Sequence, residues 1–258
     1  MDKRRDLVFS AIIILTFLLA FYGNRIISPF LDLTISSLEL RIAYFYSWWL
    51  IPTALIAGLL FGFRRFFDHL GLSEGFIKGL LFSIVAVSPM FISSAVMGSV
   101  SGHINLTTIL NQSLIAGFME EYLFRGFLFG LLFLKLRWGF IPAALLGAII
   151  FGMAHLYQGD AFWEVIGILF ITALGAVWFA WLYIELNNNL WVPIFLHALM
   201  NLSWILFEIS STALGGWYEN IFRIMTIAFT VIITIRFRKK EGFFRINRYN
   251  LFYNPKVH

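Results

Sequence analysis

The sequence contains few charged residues and no cysteine. Asp, Glu, Lys and Arg make up 13% of the 258 residues, whereas soluble domains carry about 25%. Because 60% of the residues are hydrophobic, polar groups cannot cover a water-exposed surface, and a soluble enzyme is excluded. The absence of cysteine excludes a disulfide scaffold, and the apolar composition excludes a disordered chain. This composition is that of an integral membrane protein.

Long apolar runs predict the fold class. A transmembrane helix needs about 20 mainly apolar residues, and the chain offers eight candidate runs that follow one another without a linker or a repeat. We therefore expect an all-α, polytopic transmembrane helix bundle of about eight spans, in a single domain covering residues 1–258. The candidate spans cover residues 7–22, 42–63, 79–101, 113–134, 138–157, 162–184, 190–209 and 221–235.

Basic residues predict the orientation. With the N-terminus in the cytoplasm, the predicted outer segments hold only Arg25, Arg41 and Arg223, and most other Lys and Arg residues fall inside. Both termini are therefore predicted to be cytoplasmic, and residues 236–258 form a basic tail expected to lie along the anionic inner leaflet. Loop placement explains the net charge of +5, and we expect no nucleic-acid partner.

The fourth predicted span contains three ionisable residues, which are costly within a membrane and therefore indicate function. Glu121 and Arg125 are four residues apart and share one helix face, an arrangement that predicts an ion pair. Glu120 is rotated by about 100° from Glu121. We expect its partner on another helix.

Two further spans supply polar side chains. The fifth contributes His155, and the seventh contributes His197 with Asn201 on the same face. We expect the ionisable members of this set to meet Glu120 in the interior of the bundle. Five other polar residues are predicted to be wetted because they lie at or near span ends: His103, Asn111, Glu164, Glu185 and Glu208.

A carboxylate beside imidazoles is suited to activating water. Burial favours proton uptake by the Glu, which then takes a proton from water, while a second His and an Asn stabilise the oxyanion formed at a carbonyl. This chemistry hydrolyses a peptide bond without a covalent intermediate. Two alternatives stay open: Glu120, His155 and His197 could hold a divalent metal such as zinc, or the set could be a structural polar network. No cofactor is favoured, since no His-Glu-x-x-His signature is present.

Three motifs resemble those of one family. Glu-Glu-x-x-x-Arg at 120–125, Phe-x-x-x-His at 151–155 and His-x-x-x-Asn at 197–201 are similar to the motifs of the CPBP family, the intramembrane CAAX proteases and bacteriocin-processing enzymes. The resemblance implies a catalytic region at about residues 113–209. It also implies catalytic roles for Glu120 as the base, His155 beside the water, and His197 with Asn201 at the oxyanion, with Glu121 and Arg125 as a supporting pair.

The resemblance implies an intramembrane endopeptidase that cleaves a membrane-associated peptide or protein. Short loops and a basic inner face are typical of a prokaryotic plasma-membrane protein, which favours peptide maturation or bacteriocin processing over the CAAX reaction itself. A non-catalytic immunity protein that binds a bacteriocin is the alternative. A proton-coupled transporter is the weaker alternative, because the chain lacks the paired half-repeats of many transporters.

Overall fold

A computed structural model describes residues 3–31, 35–102, 104–207, 210 and 212–255. Over these ranges the chain is helical and forms no β-strand, and one isolated bridge joins Trp138 to Tyr253. The prediction of an all-α polytopic bundle is therefore confirmed. The helices are α1 (Lys3–Ile27), α2 (Leu38–Phe61), α3 (Phe66–Leu70), α4 (Phe76–Met97), α5 (residues 106–135), α6 (Phe140–Ala154), α7 (Phe162–Glu185), α8 (Trp191–Leu206) and α9 (Trp217–Glu241), with short 3-10 turns at Ser28–Phe30, Phe63–Arg65 and Leu156–Gln158.

Six helices of the described chain are long and apolar enough to cross a membrane: α1, α2, α4, α6 with its 3-10 turn, α7 and α9. They make the protein an integral membrane protein. The other two predicted spans correspond to α5, which is not regular along its length, and to α8, whose 16 residues extend roughly 24 Å. The count of eight spans and the cytoplasmic location of the termini therefore stay predictions.

Helix α5 is interrupted by two π-helical stretches. Leu110–Ile115 and Tyr122–Gly130 are π-helical, and the α-helical turns Ala116–Glu121 lie between them. The π-helix is rare and occurs mostly at functional sites, because its wider turn changes the direction in which side chains point. The two candidate glutamates lie at the end of the regular segment, next to the second π stretch.

Helix α5 is also the central helix. Every residue from Tyr122 to Phe133 is buried, against α1, α2, α3, α6 and α7, while the segment before Tyr122 packs on α8. The remaining pairs are α1 with α2, α4 with α8 and α9, and α6 with α7. A central helix can carry buried charge only if partners are supplied from the helices around it.

The C-terminal segment, residues 242–255, folds back on the bundle, and its contact with the leaflet stays a prediction. Residues 236–241 belong to α9, which ends at Gly242 in the left-handed conformation (φ +83°). The amide N–H groups of Phe140 and Ile141 then donate to the carbonyl oxygens of Asn250 and Leu251 at 2.9 and 2.8 Å. The segment thus satisfies two of the free donors at the N-terminus of α6.

Glu185 is fully buried, so the prediction that it is wetted is wrong. Its carboxylate accepts hydrogen bonds from the backbone N–H groups of Arg245 at 3.1 Å and Ile246 at 2.9 Å, and its Oε2 lies 3.6 Å from Nε of Arg238. The returning segment supplies these donors, and a sequence pattern does not reveal such a fold-back. Asn111 and Glu164 are half-buried, whereas His103 and Glu208 lie outside the described residues.

Candidate active site

Glu121 and Arg125 form a buried ion pair on α5. Nη1 of Arg125 donates to Oε1 of Glu121 at 3.0 Å, and the two side chains are 3% and 0% exposed. The guanidinium also lies over the rings of Phe151 and Phe179, 4.6 and 5.5 Å from their centroids. Charge pairing and cation–π contacts together compensate the desolvated guanidinium.

His197 joins both glutamates from α8. Its Nδ1–H donates to Oε1 of Glu121 at 2.8 Å, and its Nε2 lies 3.8 Å from Oε2 of Glu120. The distance to Glu120 exceeds that of a direct hydrogen bond and matches one bridged by a small polar group. The hydrogen bond to Glu121 fixes the orientation of the imidazole ring.

Glu120 is the more accessible of the two acids. Its side chain is 22% exposed, against 0% for Glu121, while its Oε2 is buried and has no hydrogen-bond partner in the described part of the chain. Tyr46 on α2 lies within electrostatic range of this carboxylate. Glu120 therefore presents an unused acceptor inside the bundle together with a path to the outside.

His155 is linked to the site through an aromatic ring. It lies at the end of α6, where its Nδ1–H donates to the carbonyl oxygen of Phe151 at 2.7 Å, so that Nε2 of the neutral ring is an acceptor. The Phe151 ring lies 4.5 Å from the ring of His155 and 6.4 Å from that of His197, between centroids. Phe151 therefore touches both imidazoles and Arg125.

Asn201 lies where α8 meets the first part of α5. Its Nδ2 donates to the carbonyl oxygen of Gln112 at 3.1 Å, one turn beyond His197 on the same helix. The hydroxyl of Ser113 donates in the opposite direction, to the carbonyl oxygen of Ala198 at 2.8 Å. One amide proton of Asn201 is thus used structurally, and the second remains.

A role of Glu120, His155 and His197 as metal ligands stays a prediction. Across the described ranges, no group of three or more His, Asp or Glu side chains is arranged to hold a metal ion. His155 and His197 each use Nδ1 in a protein hydrogen bond, to Phe151 and Glu121. These hydrogen bonds leave Nε2 of each ring for a water molecule, a substrate or a metal ion.

Sequence reasoning missed three contributors. Phe179 on α7 contacts both Arg125 and His197, whose ring centroid lies 5.8 Å away. Among 30 Phe residues, no pattern distinguished it.

Gly117 was missed too. A Cβ there would lie 2.8 Å from the backbone N of Ala198, so a glycine is needed for α5 to approach α8. Phe151 was recognised only as a motif position, and its contacts with three site residues depend on the tertiary packing.

Two comparisons with known proteins give matches. Residues 102–203 match the family described as "Type II CAAX prenyl endopeptidase Rce1-like". A protein of Bacillus subtilis (strain 168) named "Putative membrane peptidase YdiL" is 36% identical over 93 residues, which cover 36% of this chain and 34% of that protein. The family match therefore confirms, over residues 102–203, the resemblance indicated by the three motifs. The chain spans about a third of the length of the curated relative it matches, and no solved structure matches.

Proposed function

We propose, from the premise that residues 102–203 are related to the CAAX endopeptidases, that this chain is an intramembrane endopeptidase. The observation that carries the proposal is the pairing of Glu120 with His197. A buried, unpartnered carboxylate oxygen lies 3.8 Å from an imidazole nitrogen, which is suitable spacing for both to contact one water molecule.

The reaction follows from these positions. Glu120 takes a proton from water as the water oxygen bonds to the carbonyl carbon of the substrate peptide, and the carbonyl oxygen becomes an oxyanion. Donors from His197 and Asn201 stabilise the oxyanion, and His155 accepts a hydrogen bond from the water through Nε2. When the C–N bond breaks, the proton on Glu120 passes to the leaving amine, which regenerates the carboxylate.

Charge balance explains the second acid and the arginine. Because Nδ1–H of His197 is donated to Glu121, the ring donates through Nε2 only as an imidazolium. Two carboxylates, one guanidinium and one imidazolium then form a set with no net charge, as a low-dielectric interior requires. Glu121 and Arg125 thus position and charge His197 and do not touch the substrate.

The substrate proposed is a membrane-associated peptide or protein, in peptide maturation or bacteriocin processing. Glu120, the site's most exposed acid, lies within a bundle of membrane helices, so a peptide reaches it from the bilayer or its surface. The relative from Bacillus subtilis is named a membrane peptidase, which supports proteolysis without identifying a substrate.

The first experiment replaces Glu120 by Gln, which keeps the shape and removes the base. Parent and Glu120→Gln are expressed in cells at matched membrane levels, and new protein termini are compared by mass spectrometry. We expect termini that appear only with the parent, with cleavage reduced at least about 100-fold in the variant. Glu39→Gln, a change of the same kind at an exposed position of α2, serves as the matched control and should cleave normally.

The same cells distinguish the alternatives. Identical termini in the parent, Glu120→Gln and His197→Gln would overturn the proposal, and protection against a bacteriocin that survives Glu120→Gln would assign the chain to binding. Cleavage by purified protein in the presence of a chelator then separates the two chemistries: persistence supports water activation by Glu120 alone, and loss that zinc restores supports a metal.

A further inference from the structure

A second, independent site lies at the basic end of the bundle, where α5 ends at Lys135. A half-open cavity of about 820 Å³ lies between α3, the end of α5 and the C-terminal segment. This volume is within the range of small-molecule sites. None of its lining residues belongs to the candidate active site, and Glu120 lies roughly 20 Å from Lys135 along α5.

The cavity has an excess of positive charge. Three cationic side chains line it, Arg65, Lys135 and Arg245, against one carboxylate, that of Asp68. Asp68 already pairs with Arg65, with Nε and Oδ2 3.3 Å apart. Within the described residues, neither Lys135 nor the Arg245 side chain has an ion-pair partner or a hydrogen bond. Asp68 also acts on Lys135 electrostatically, but three cations against one carboxylate leave a net positive charge that favours a bound anion.

Three buried polar atoms of lining residues have no partner in the described chain: Nδ1 of His69, Oδ1 of Asn188 and Nε of Arg245. His69 is 7% exposed, and its Nε2–H donates to the carbonyl oxygen of Phe61 at 2.8 Å. Burial lowers the pKa of His69, and the charges of Lys135 and Arg65 lower it further. Nδ1 of the neutral ring is therefore an acceptor without a partner, and unpaired buried groups of this kind indicate a missing ligand.

Part of the remaining wall is apolar. It includes two aliphatic and three aromatic side chains from α5, α7 and the C-terminal segment, namely Phe133, Leu134, Ile184, Phe243 and Phe244, beside Tyr249, Pro255 and three asparagines of the same segment. Phe243 is 58% exposed, so its ring is accessible to an apolar part of a ligand. A cavity that offers cationic donors, acceptors for the hydroxyl groups of a ligand and an apolar wall is complementary to an amphiphile.

We propose that this cavity binds a phosphate ester that carries free hydroxyl groups, of the glycerophosphate type found in anionic lipid headgroups. Lys135 and Arg245 bind the phosphate, the acceptors on His69 and Asn188 take hydrogen bonds from the hydroxyls, and the aromatic wall lies along the acyl chains. Basic pockets between transmembrane helices recognise anionic lipids in the same way.

The test compares two double variants with the same change of charge. Lys135→Gln/Arg245→Gln removes the two cavity cations, and Arg64→Gln/Lys240→Gln removes two exposed cations that do not line the cavity. Binding of dihexanoylphosphatidylglycerol, dihexanoylphosphatidylcholine, glycerol 1-phosphate and inorganic phosphate to the purified, delipidated full chain is measured by calorimetry in a neutral detergent. We expect saturable binding of phosphatidylglycerol, about tenfold or more weaker in the cavity variant and unchanged in the control.

Each outcome decides the proposal. Competition by glycerol 1-phosphate or inorganic phosphate supports the phosphate chemistry and identifies a soluble source, whereas selectivity for phosphatidylglycerol identifies a lipid. Equal weakening in both double variants, equal binding of phosphatidylcholine, or no binding overturns it. If the cavity variant does not fold, Arg65→Gln against Arg64→Gln repeats the comparison with exposed side chains. Proteolysis is measured separately, so the failure of either proposal leaves the other untouched.

Discussion

At the scale of single residues, the stability of the candidate site depends on how its buried charges are paired. Glu121 is fully buried and has two partners, Arg125 at 3.0 Å and His197 at 2.8 Å, both on its Oε1. Breaking a buried pair leaves an unpaired charge and costs about 3–5 kcal/mol, whereas removing both charges together costs far less. Replacing one member of the ion pair of Glu121 and Arg125 should therefore lower the free energy of unfolding, and this effect distinguishes the pair from a catalytic group.

We therefore expect Glu121→Gln to lower the free energy of unfolding by about 3 kcal/mol, because the guanidinium of Arg125 stays buried without its carboxylate. Adding Arg125→Met should restore much of this stability without restoring cleavage, since His197 has then lost its charged acceptor. Thermal unfolding in detergent and cleavage assays measure the two effects. A Glu121→Gln variant as stable as the parent would contradict the assignment of Glu121 and Arg125 as a buried ion pair.

At this scale the sequence predicted two pairings within the set. Spacing alone predicted the pair of Glu121 and Arg125 on one face, and the cost of intramembrane charge indicated that His197 and Glu120 would be drawn together. It did not predict that Nδ1–H of His197 is donated to Glu121 and not to Glu120. That choice depends on the relative rotation of α5 and α8, which side-chain contacts along both helices decide.

At the scale of helices, the site depends on how closely α5 approaches α8. Gly117 makes this approach possible: a Cβ at this position would lie 2.8 Å from the backbone N and 3.0 Å from the Cα of Ala198. Backbone atoms cannot move aside as a side chain can. The same contact region includes Asn201, whose amide donates to the carbonyl oxygen of Gln112.

Gly117→Ala should destabilise the bundle by about 1–3 kcal/mol through overpacking and reduce cleavage, because α8 and His197 are displaced from Glu120. Gly175→Ala is the matched control on α7, since its Cβ would meet no atom within 4 Å; it should be neutral or stabilising by up to about 1 kcal/mol. Unfolding temperatures and cleavage rates are compared in parallel. Equal effects of the two substitutions would show that the close approach of α5 to α8 determines neither stability nor cleavage.

Helix boundaries were predicted less well than helix existence. Apolar runs identified all eight of the long or intermediate helices, because the need to bury backbone polar groups within a membrane leaves few alternatives. The π-helical stretches Leu110–Ile115 and Tyr122–Gly130 had no visible signal. Their backbone hydrogen bonds follow the packing of α5 in the centre of the bundle, which no local pattern encodes.

At the scale of the whole molecule, the C-terminal segment closes the basic end of the bundle. It supplies backbone donors to Glu185, carbonyl acceptors to the N-terminus of α6, and a wall to the phosphate cavity. The basic and aromatic composition of this segment predicted contact with lipid, and the structure adds contacts with protein that the composition does not reveal. The segment is held by hydrogen bonds to Glu185, which lies 60 residues earlier in the chain. The sequence of the segment alone does not reveal this partner.

Truncation after Glu241 should therefore destabilise the protein, since Glu185 loses two hydrogen bonds and two amide groups of α6 lose their acceptors, each at about 1–3 kcal/mol. The same truncation in a Glu185→Gln background should cost less, because a neutral amide loses less than a carboxylate when the two backbone N–H donors are removed. Unfolding of the four proteins in detergent forms a double-mutant cycle. A coupling free energy of zero would show that the segment and Glu185 act independently.

The position of Glu185 has a consequence for biosynthesis. Its hydrogen-bond donors lie 60 and 61 residues later in the chain, and a growing chain folds from its N-terminus as it emerges from the ribosome. Helix α7 is therefore made with a carboxylate whose partners do not yet exist. The bundle is sealed only when translation has reached residue 246, so a message that ends shortly before this codon yields all of the membrane helices and a protein that is still open at its basic end.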